Sequence, residues 1–537
     1  MLRAWAGVAQ PLEHVVMAGA ALACARTSRA GDVALGLVSD EGVLRLRFPI
    51  ASCDTFSALI RCAGQPGETD LGGDARVGVA INGHCGTGGL DLVVRLDGDD
   101  APAITLAYDA SVFEELWARD FAQLLIALTT QGAETPDRAL AHLRSRDPAL
   151  ALGPPRARPR ACVTEGFLAR VASEPNAVAA IDARSELTYH DLRALAGGVA
   201  QELWSLGIGR GHRVGVCVEA STHLPVALLG TLLAGAAFVP LDPAGPPERI
   251  AHVLRDSGAR AVITASATRD HFPADVRRLR IDRTSFTALL PAPFDLDALA
   301  YVVYPPSGTT GVAVDHASFA AVVRESAALL DVHPGMRVLQ HAGTGSGLAA
   351  LEVFLALVTG ATLVHAGHDD ELEDVIVDRG AEVWVGTPAG LAQIDPERVP
   401  TLTRLAVGGQ GLPPRLAQRW APGRRCFTVY GPAEGAALTT AHRCTGAERT
   451  SPPVGQPLPG RQAIIVNDAL HPVAPGEIGE ICIGGLGLAS AYWENEALTA
   501  ERFVRLPTPA PCARFYRTGD FGFMTSDGTL HLVPRLR

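Results

Sequence analysis

The sequence predicts an α/β chain with doubly wound parallel sheets, preceded by a small α+β unit. Three observations carry this. At 537 residues the chain is too long for one core and divides into three or four domains. From about residue 163 onward, short apolar runs of strand character alternate with stretches of helical period, which implies parallel strands joined by crossover helices. Before that point, strand-like pairs stand beside two helical stretches.

Composition narrows the function. Hydrophobic residues make up 47% of the chain and charged residues 19%, and the net charge is −11. With a pI near 5.8, a basic face for nucleic acid or an anionic membrane is not expected. Ten cysteines show no CxxC pair and no His/Cys metal spacing, and read as reduced, mostly buried thiols of a cytoplasmic protein. Val15 to Ala25 is apolar, but Glu13 and His14 precede it, so no secretory signal is expected. Leu224 to Leu241 is uncharged and long, yet Gly230, Gly235 and Pro240 divide it into helix, turn and strand. No membrane segment is predicted.

In chain order, Leu12 to Thr27 reads as an apolar helix. Val33 to Val38 and Val43 to Phe48 alternate as strands, Leu90 to Leu96 and Ala103 to Tyr108 as a second strand pair. Phe113 to Leu128 has helical spacing. Ile104 to Phe113, this helix and Leu140-Ala141-His142-Leu143 together resemble the closing stretch of a condensation domain, the amide-forming module of nonribosomal peptide synthetases. The resemblance implies a shortened C-terminal lobe over 1–147. No condensation activity is expected, because His84-Cys85 lacks the Asp-Gly of the His-His-x-x-x-Asp-Gly motif. Residues 148–161, PALALGPPRARPRA, have the Pro/Arg-rich composition of a linker, which an interface on either side could hold rigid.

Beyond it, Leu187-Thr188-Tyr189-His190-Asp191-Leu192 opens an amphipathic helix, and Arg249 to Thr264 reads as helix, Asp-Ser-Gly cap and strand. The apolar run Leu299 to Val303 is a buried strand that enters Tyr304-Pro305-Pro306-Ser307-Gly308-Thr309-Thr310-Gly311. A strand feeding a Ser/Gly/Thr loop suits phosphate, since glycine lets N–H groups turn inward and hydroxyls add donors. No Gly-Lys-Ser/Thr follows, so this is not a Walker loop. Further on stand Val407 to Leu412, Thr428-Val429-Tyr430-Gly431-Pro432-Ala433-Glu434 and Tyr516-Arg517-Thr518-Gly519-Asp520.

These segments, in this order, resemble the amino-acid adenylation domains of the adenylate-forming superfamily from Val163 to the chain end. The resemblance implies two sandwiched doubly wound α/β subdomains over 162–440. A small β-rich, barrel-like subdomain over 441–537 would follow. It implies an ATP and Mg²⁺ site at Ser307, Gly308, Thr309, Thr310, Gly311, Gly409, Tyr430, Gly431, Glu434, Asp520 and Arg535. Tyr430 would stack on adenine, Glu434 would hold Mg²⁺, and Asp520 would clamp the ribose hydroxyls. The acid pocket would involve His341, Ser346, Gly347 and Gln410. No phosphopantetheine site is implied.

Four departures bear on activity. The family loop continues Pro-Lys-Gly, whereas Gly311 runs straight into Val312-Ala313-Val314. Ser346-Gly347 stands where a Phe-Asp pair binds the substrate ammonium. Pro534 replaces a glycine before Arg535, and the hinge with its lysine-bearing lid is expected to be missing. The condensation motif is missing as well. Losing an electrostatic contributor of the lysine kind typically costs about 10²–10³-fold in rate. The first expectation is therefore a silent or strongly impaired scaffold that docks carrier, condensation or MbtH-like partners. The second is an active carboxylate–AMP ligase for an acid without an α-amine, using a lid from a partner chain. A small-ligand sensor is the third.

Overall fold

The computed structural model describes residues 12–28, 33–39, 42–48, 50, 53, 55–63, 77–81, 92–97, 103–109, 115–140, 148–265, 272–273, 276–287, 294–306, 308–367, 370–506, 508 and 514–533. The chain forms two compact units. One comprises residues 1–151, 463–482 and 519–537, the other 152–462 and 483–518.

In the first unit the helix Leu12–Ser28 is apolar on every side, and such a helix must be buried. Val15, Val16, Ala20 and Ala21 have no exposed surface and share a core with Phe48, Phe56, Leu125 and Leu128. A five-stranded sheet runs in the order Gly42–Phe48, Val33–Ser39, Val77–Ile81, Leu92–Asp97, Ala103–Tyr108. The second long helix, Glu115–Glu134, buries Phe121, Leu124 and Leu128. Arg26 joins this core to a later segment of the same unit by an ion pair to Glu477 at 3.0 Å. His84 and Cys85 lie outside the described residues.

In the second unit, five strands of a seven-stranded sheet lie parallel in the order Arg277–Arg280, Ala261–Thr264, Arg213–Cys217, Ala237–Pro240, Leu299–Val303. Val312–Asp315 and Ala491–Tyr492 then add antiparallel. A nine-stranded sheet has a parallel centre, with Arg425–Tyr430, Arg404–Val407, Val383–Gly386, Arg337–Gln340, Thr362–His365 and Val178–Ile181 side by side. Parallel strands buried on both faces read as apolar runs, which is why the sequence reveals them.

Capping fixes where the helices begin. The Thr188 hydroxyl accepts the Asp191 N–H at 3.1 Å while the Asp191 carboxylate accepts the Thr188 N–H at 3.2 Å, a reciprocal capping box. Ser346 caps the helix Gly347–Thr359, which ends at Gly360 with φ of 84°. That helix buries Leu351, Val353, Phe354 and Leu355 and packs on the helices Val163–Ser173 and His316–Leu330. Deleting one such Leu side chain costs about 2–5 kcal/mol.

Residues 148–161, despite their linker composition, are pinned. The strand Leu150–Leu152 forms within them. In the second unit the Gly153 N–H donates to the Arg461 carbonyl at 2.9 Å, and Arg156 pairs with buried Glu325 at 3.0 Å. Arg158 pairs with Asp297. Four prolines limit the backbone, and backbone and ionic contacts then fix it.

Candidate functional site

The Ser/Gly/Thr loop joins the antiparallel strands Leu299–Val303 and Val312–Asp315, so it is the tip of a hairpin at the carboxyl end of a parallel sheet. Ligands of such sheets bind at that end. Ser307 lies outside the described residues. The rest of the loop is held from beneath by the helix Pro247–Asp256. Arg249 donates to the Gly308 carbonyl at 2.6 Å and to the Pro305 carbonyl at 2.8 Å. His252, three residues on and so on the same helix face, donates through Nε2 to the Thr309 carbonyl at 3.1 Å. The Tyr304 hydroxyl donates to Asp256 at 2.6 Å, and the Arg249 guanidinium lies 6.0 Å over the Tyr304 ring. A Cβ on Gly311 would come within 2.8 Å of that ring, so only glycine fits there.

Gly311 also leads to the second part of the site. Its carbonyl accepts the Trp493 N–H at 2.7 Å, and Val312 pairs with Tyr492. The Tyr492 hydroxyl donates to Glu434 Oε1 at 2.5 Å and lies 3.0 Å from the Tyr516 hydroxyl. Glu434 is 7% exposed. Burial together with the Glu434 hydrogen bond pushes the Tyr492 phenol up to about 12, and burial and the Glu434 charge raise Tyr516 further. Both phenols therefore stay protonated, Tyr492 donating to the carboxylate and Tyr516 lying against the Tyr492 hydroxyl. A phenol-to-carboxylate hydrogen bond of this kind contributes roughly 1.5–3 kcal/mol.

Tyr430 ends its strand half-buried, its carbonyl accepting the Thr439 N–H at 2.7 Å. Gly431 admits the chain's return, since a Cβ would lie 2.7 Å from the Ala437 carbonyl oxygen. Gly409 has φ of 84°, a conformation that favours glycine, and Gln410 is exposed. Asp520 is half-buried in the first unit, next to Gly519, whose N–H donates to Glu480 at 3.1 Å. Arg535 lies outside the described residues.

The residues expected to line an acid pocket make structural contacts that their positions in the sequence do not disclose. His341 accepts from Trp384 Nε1 through Nε2 at 2.7 Å and stacks on that ring at 5.1 Å. Its Nδ1 stands 3.1 Å from Glu352 Oε1, but neither atom has an aligned hydrogen bond. This is an ion-pair distance, not a directed bond. Glu352 is fully buried, its other oxygen accepting from Gln340 and the Ala342 N–H. The Ser346 hydroxyl donates to the Gly343 carbonyl at 2.7 Å and accepts the Ala349 N–H, so it is a cap. Gly347 is different. The atoms nearest to a Cβ built there are Tyr301 Oη at 3.9 Å and the Val303 methyls at 4.0 Å.

Motifs alone do not point to Arg249, His252, Tyr301, Glu352, Trp384 or Arg461. One signal in the sequence does bear on the site: none of the 537 residues is lysine, so all 46 basic residues are arginine. Any lysine at a reacting phosphate comes from outside this sequence. Among the described residues, no group of three or more His, Cys, Asp or Glu side chains could hold a metal ion. Glu434 nonetheless suits Mg²⁺. A carboxylate has about four lone-pair sites, of which the Tyr492 phenol uses one, and Mg²⁺ typically takes one or two carboxylates plus phosphate oxygens. No helix among the described residues is long and apolar enough to cross a membrane.

Residues 167–493 match the model of a family described as "AMP-binding enzyme". The chain is 32% identical over 393 residues to gramicidin S synthase 1 of Brevibacillus brevis, covering 69% of this chain and 35% of that protein. A four-domain nonribosomal peptide synthetase, solved bound to AMP and glycine, superposes with a TM-score of 0.84 at 22% identity. That match covers 99% of this chain and 47% of the other. The N-terminal subdomain of Klebsiella oxytoca NpsA, in complex with 3-hydroxybenzoyl-AMSN, gives 0.62 at 25% identity, covering 70% of this chain and all of that subdomain. The chain thus spans less than half the length of these two synthetases.

Proposed function

We propose, for a chain that belongs to the AMP-binding enzyme family and is similar to peptide-synthetase adenylation domains, that it is an ATP-dependent acid–AMP ligase for a carboxylic acid without an α-ammonium. Gly347 carries this reading. Burying an ammonium without a counter-charge costs several kcal/mol. The three atoms nearest to a Cβ at that position are the Tyr301 hydroxyl oxygen and two Val303 methyls, and none belongs to a carboxylate. NpsA, solved with a hydroxybenzoyl ligand, is a relative whose acid moiety likewise has no α-amine.

In this reading the acid's carboxylate oxygen attacks the α-phosphorus of ATP. An oxygen–phosphorus bond forms, the bond to the bridging oxygen breaks, and pyrophosphate leaves. Arg249 and His252 draw the loop carbonyls of residues 305, 308 and 309 toward their helix. That fixes the loop's shape before nucleotide arrives, so less ordering entropy is lost on binding. Tyr492 and Tyr516 orient Glu434. When bound, Mg²⁺ would be held by Glu434 and would offset charge on the phosphates. A carrier protein is the proposed acceptor of the activated acid.

The test is pyrophosphate release with ATP, Mg²⁺ and a panel of acids. Release with acids lacking an α-amine, and none with the amino acids, is the expected result; release with an amino acid alone would sink the reading.

A second reading has its own observation. The loop has no lysine, and the sequence has none to lend it. A core kept for docking carrier, condensation or MbtH-like partners needs no such cation. It predicts no pyrophosphate release with any acid, even when a lysine-bearing adenylation lid is added in trans.

A further inference from the structure

Cys426 and Cys444 face each other where the antiparallel strands Arg425–Tyr430 and Thr440–Arg443 meet at their far ends. The register pairs Phe427 with Arg443, and one step on the Cys444 N–H donates to the Cys426 carbonyl at 2.9 Å. Residues opposed in this way project to one face, with Cα atoms about 4.5–5.5 Å apart. A disulfide spans roughly 4.4–6.8 Å between Cα atoms, so the backbone already holds the two thiols at bonding reach. Both are free thiols, buried in one core with Ala417 and Trp420. Their mutual hydrogen bond raises the Cys426 thiol and lowers that of Cys444, whose sulfur also accepts the Thr428 N–H. Of the charged groups facing them, Glu448 disfavours either thiolate and Arg424 favours that of Cys426. Cys444 is the readier nucleophile of the two.

Cys444 is also the thiol within reach of solvent chemistry. Its chain neighbours Arg443 and Thr445 are both exposed. The next strand of the sheet, Gln456–Pro457, pairs only with Thr440 and Ala441, so Cys444 lies at a sheet edge that local fraying opens. The segment between the two cysteines is the hairpin that carries Tyr430, Gly431 and Glu434. Its turn holds two successive alanines, Ala436 and Ala437, at φ of 50° and 78°. Side chains rarely adopt that conformation, and it persists only where the surroundings enforce it. A covalent tie at the base of the hairpin would help to enforce it.

We propose that Cys426 and Cys444 form a reversible redox couple whose disulfide fastens the hairpin bearing Tyr430 and Glu434. The oxidant is a small-molecule disulfide of the glutathione class. The Cys444 thiolate attacks one of its sulfurs, forming a mixed disulfide and releasing one glutathione as thiol. Cys426 then attacks the Cys444 sulfur, its proton leaving with the second glutathione. Two thiols are oxidised to one disulfide, and one glutathione disulfide is reduced to two thiols. The effect on nucleotide rests on the ligase reading above; the disulfide itself does not.

The test treats the folded chain with excess glutathione disulfide, alkylates the remaining thiols and maps the peptides by mass. The peptides holding Cys426 and Cys444 are expected to be joined, with the loss of two hydrogens, and to separate again in dithiothreitol. The oxidised chain should melt about 2 °C or more higher, and amide exchange in residues 428–440 should slow. Affinity for a non-hydrolysable ATP analogue with Mg²⁺ should rise by about threefold, since a fixed hairpin loses less freedom on binding. Cys426→Ala and Cys444→Ala should each abolish the melting shift. Free Cys426 and Cys444 after oxidation of the folded chain, or bonding of either to another cysteine, would overturn the inference; this reading needs no variant to fold. So would a disulfide that changes neither melting nor exchange. The disulfide with both effects, in a chain that binds no ATP analogue in either state, would support the couple and overturn the ligase reading.

Discussion

At the scale of single residues, the proposed ligase reading rests on Glu434 and Gly347. Glu434 is a buried carboxylate that accepts a hydrogen bond from the Tyr492 hydroxyl, with the Tyr516 hydroxyl 3.0 Å from that of Tyr492. Glu434→Gln keeps the shape and removes the charge. It is expected to weaken Mg²⁺-dependent binding of an ATP analogue by about tenfold or more, with little change in Mg²⁺-free binding of AMP. Equal loss in both would show that Glu434 acts only through packing. His365 gives a pH prediction with a fixed sign. Burial holds its imidazole down at about 3, from an ordinary 6.5. Between these values the unfolded chain binds a proton that the fold refuses, so stability rises with pH across that window and is lost as pH falls through 6.5. Thermal midpoints should drop between pH 7 and pH 4, and His365→Asn should make that slope shallower. A slope unchanged in the variant would show that His365 is not its source.

At the scale of elements, the loop and the helix beneath it form one device. The strand Leu299–Val303 and its Ser/Gly/Thr continuation are legible in the sequence, because both are contiguous in the chain. Arg249 and His252 under the loop are not. Those contacts join residues about 56–59 positions apart, and no local pattern encodes them. Ser346 is a similar case. Its position in the sequence marks it as pocket, while the structure uses it as a helix cap. Capping signals and apolar period are local and can be read from the chain; side-chain convergence cannot. Arg249→Gln is expected to leave the fold intact and to speed amide exchange in residues 304–311. ATP-analogue affinity should fall about tenfold while adenosine affinity holds. If both ligands weaken alike, Arg249 acts on the fold as a whole. If neither weakens and exchange is unchanged, the loop holds its shape without it.

At the scale of the whole chain, pattern reaches further than composition. Length and alternating pattern announced several α/β sheets, and two large ones, of seven and nine strands, are present in the second unit. Composition marked residues 148–161 as a linker, yet Arg156 and Arg158 tie them down through Glu325 and Asp297. The acidic partners sit more than 130 positions away, beyond the reach of any composition window. The freedom from lysine is the opposite case, plain in the sequence and decisive for chemistry. Within this sequence it leaves arginine and main-chain N–H groups, with a bound metal, as the sources of positive charge on a phosphate. Every functional step proposed for this chain depends on a nucleotide site that is still in use. Calorimetric titration with a non-hydrolysable ATP analogue and Mg²⁺, repeated on Arg249→Gln and Glu434→Gln, decides whether it is. Micromolar binding that both substitutions weaken is the expected outcome; no binding at millimolar analogue would refute nucleotide use and leave the docking scaffold as the reading of this chain.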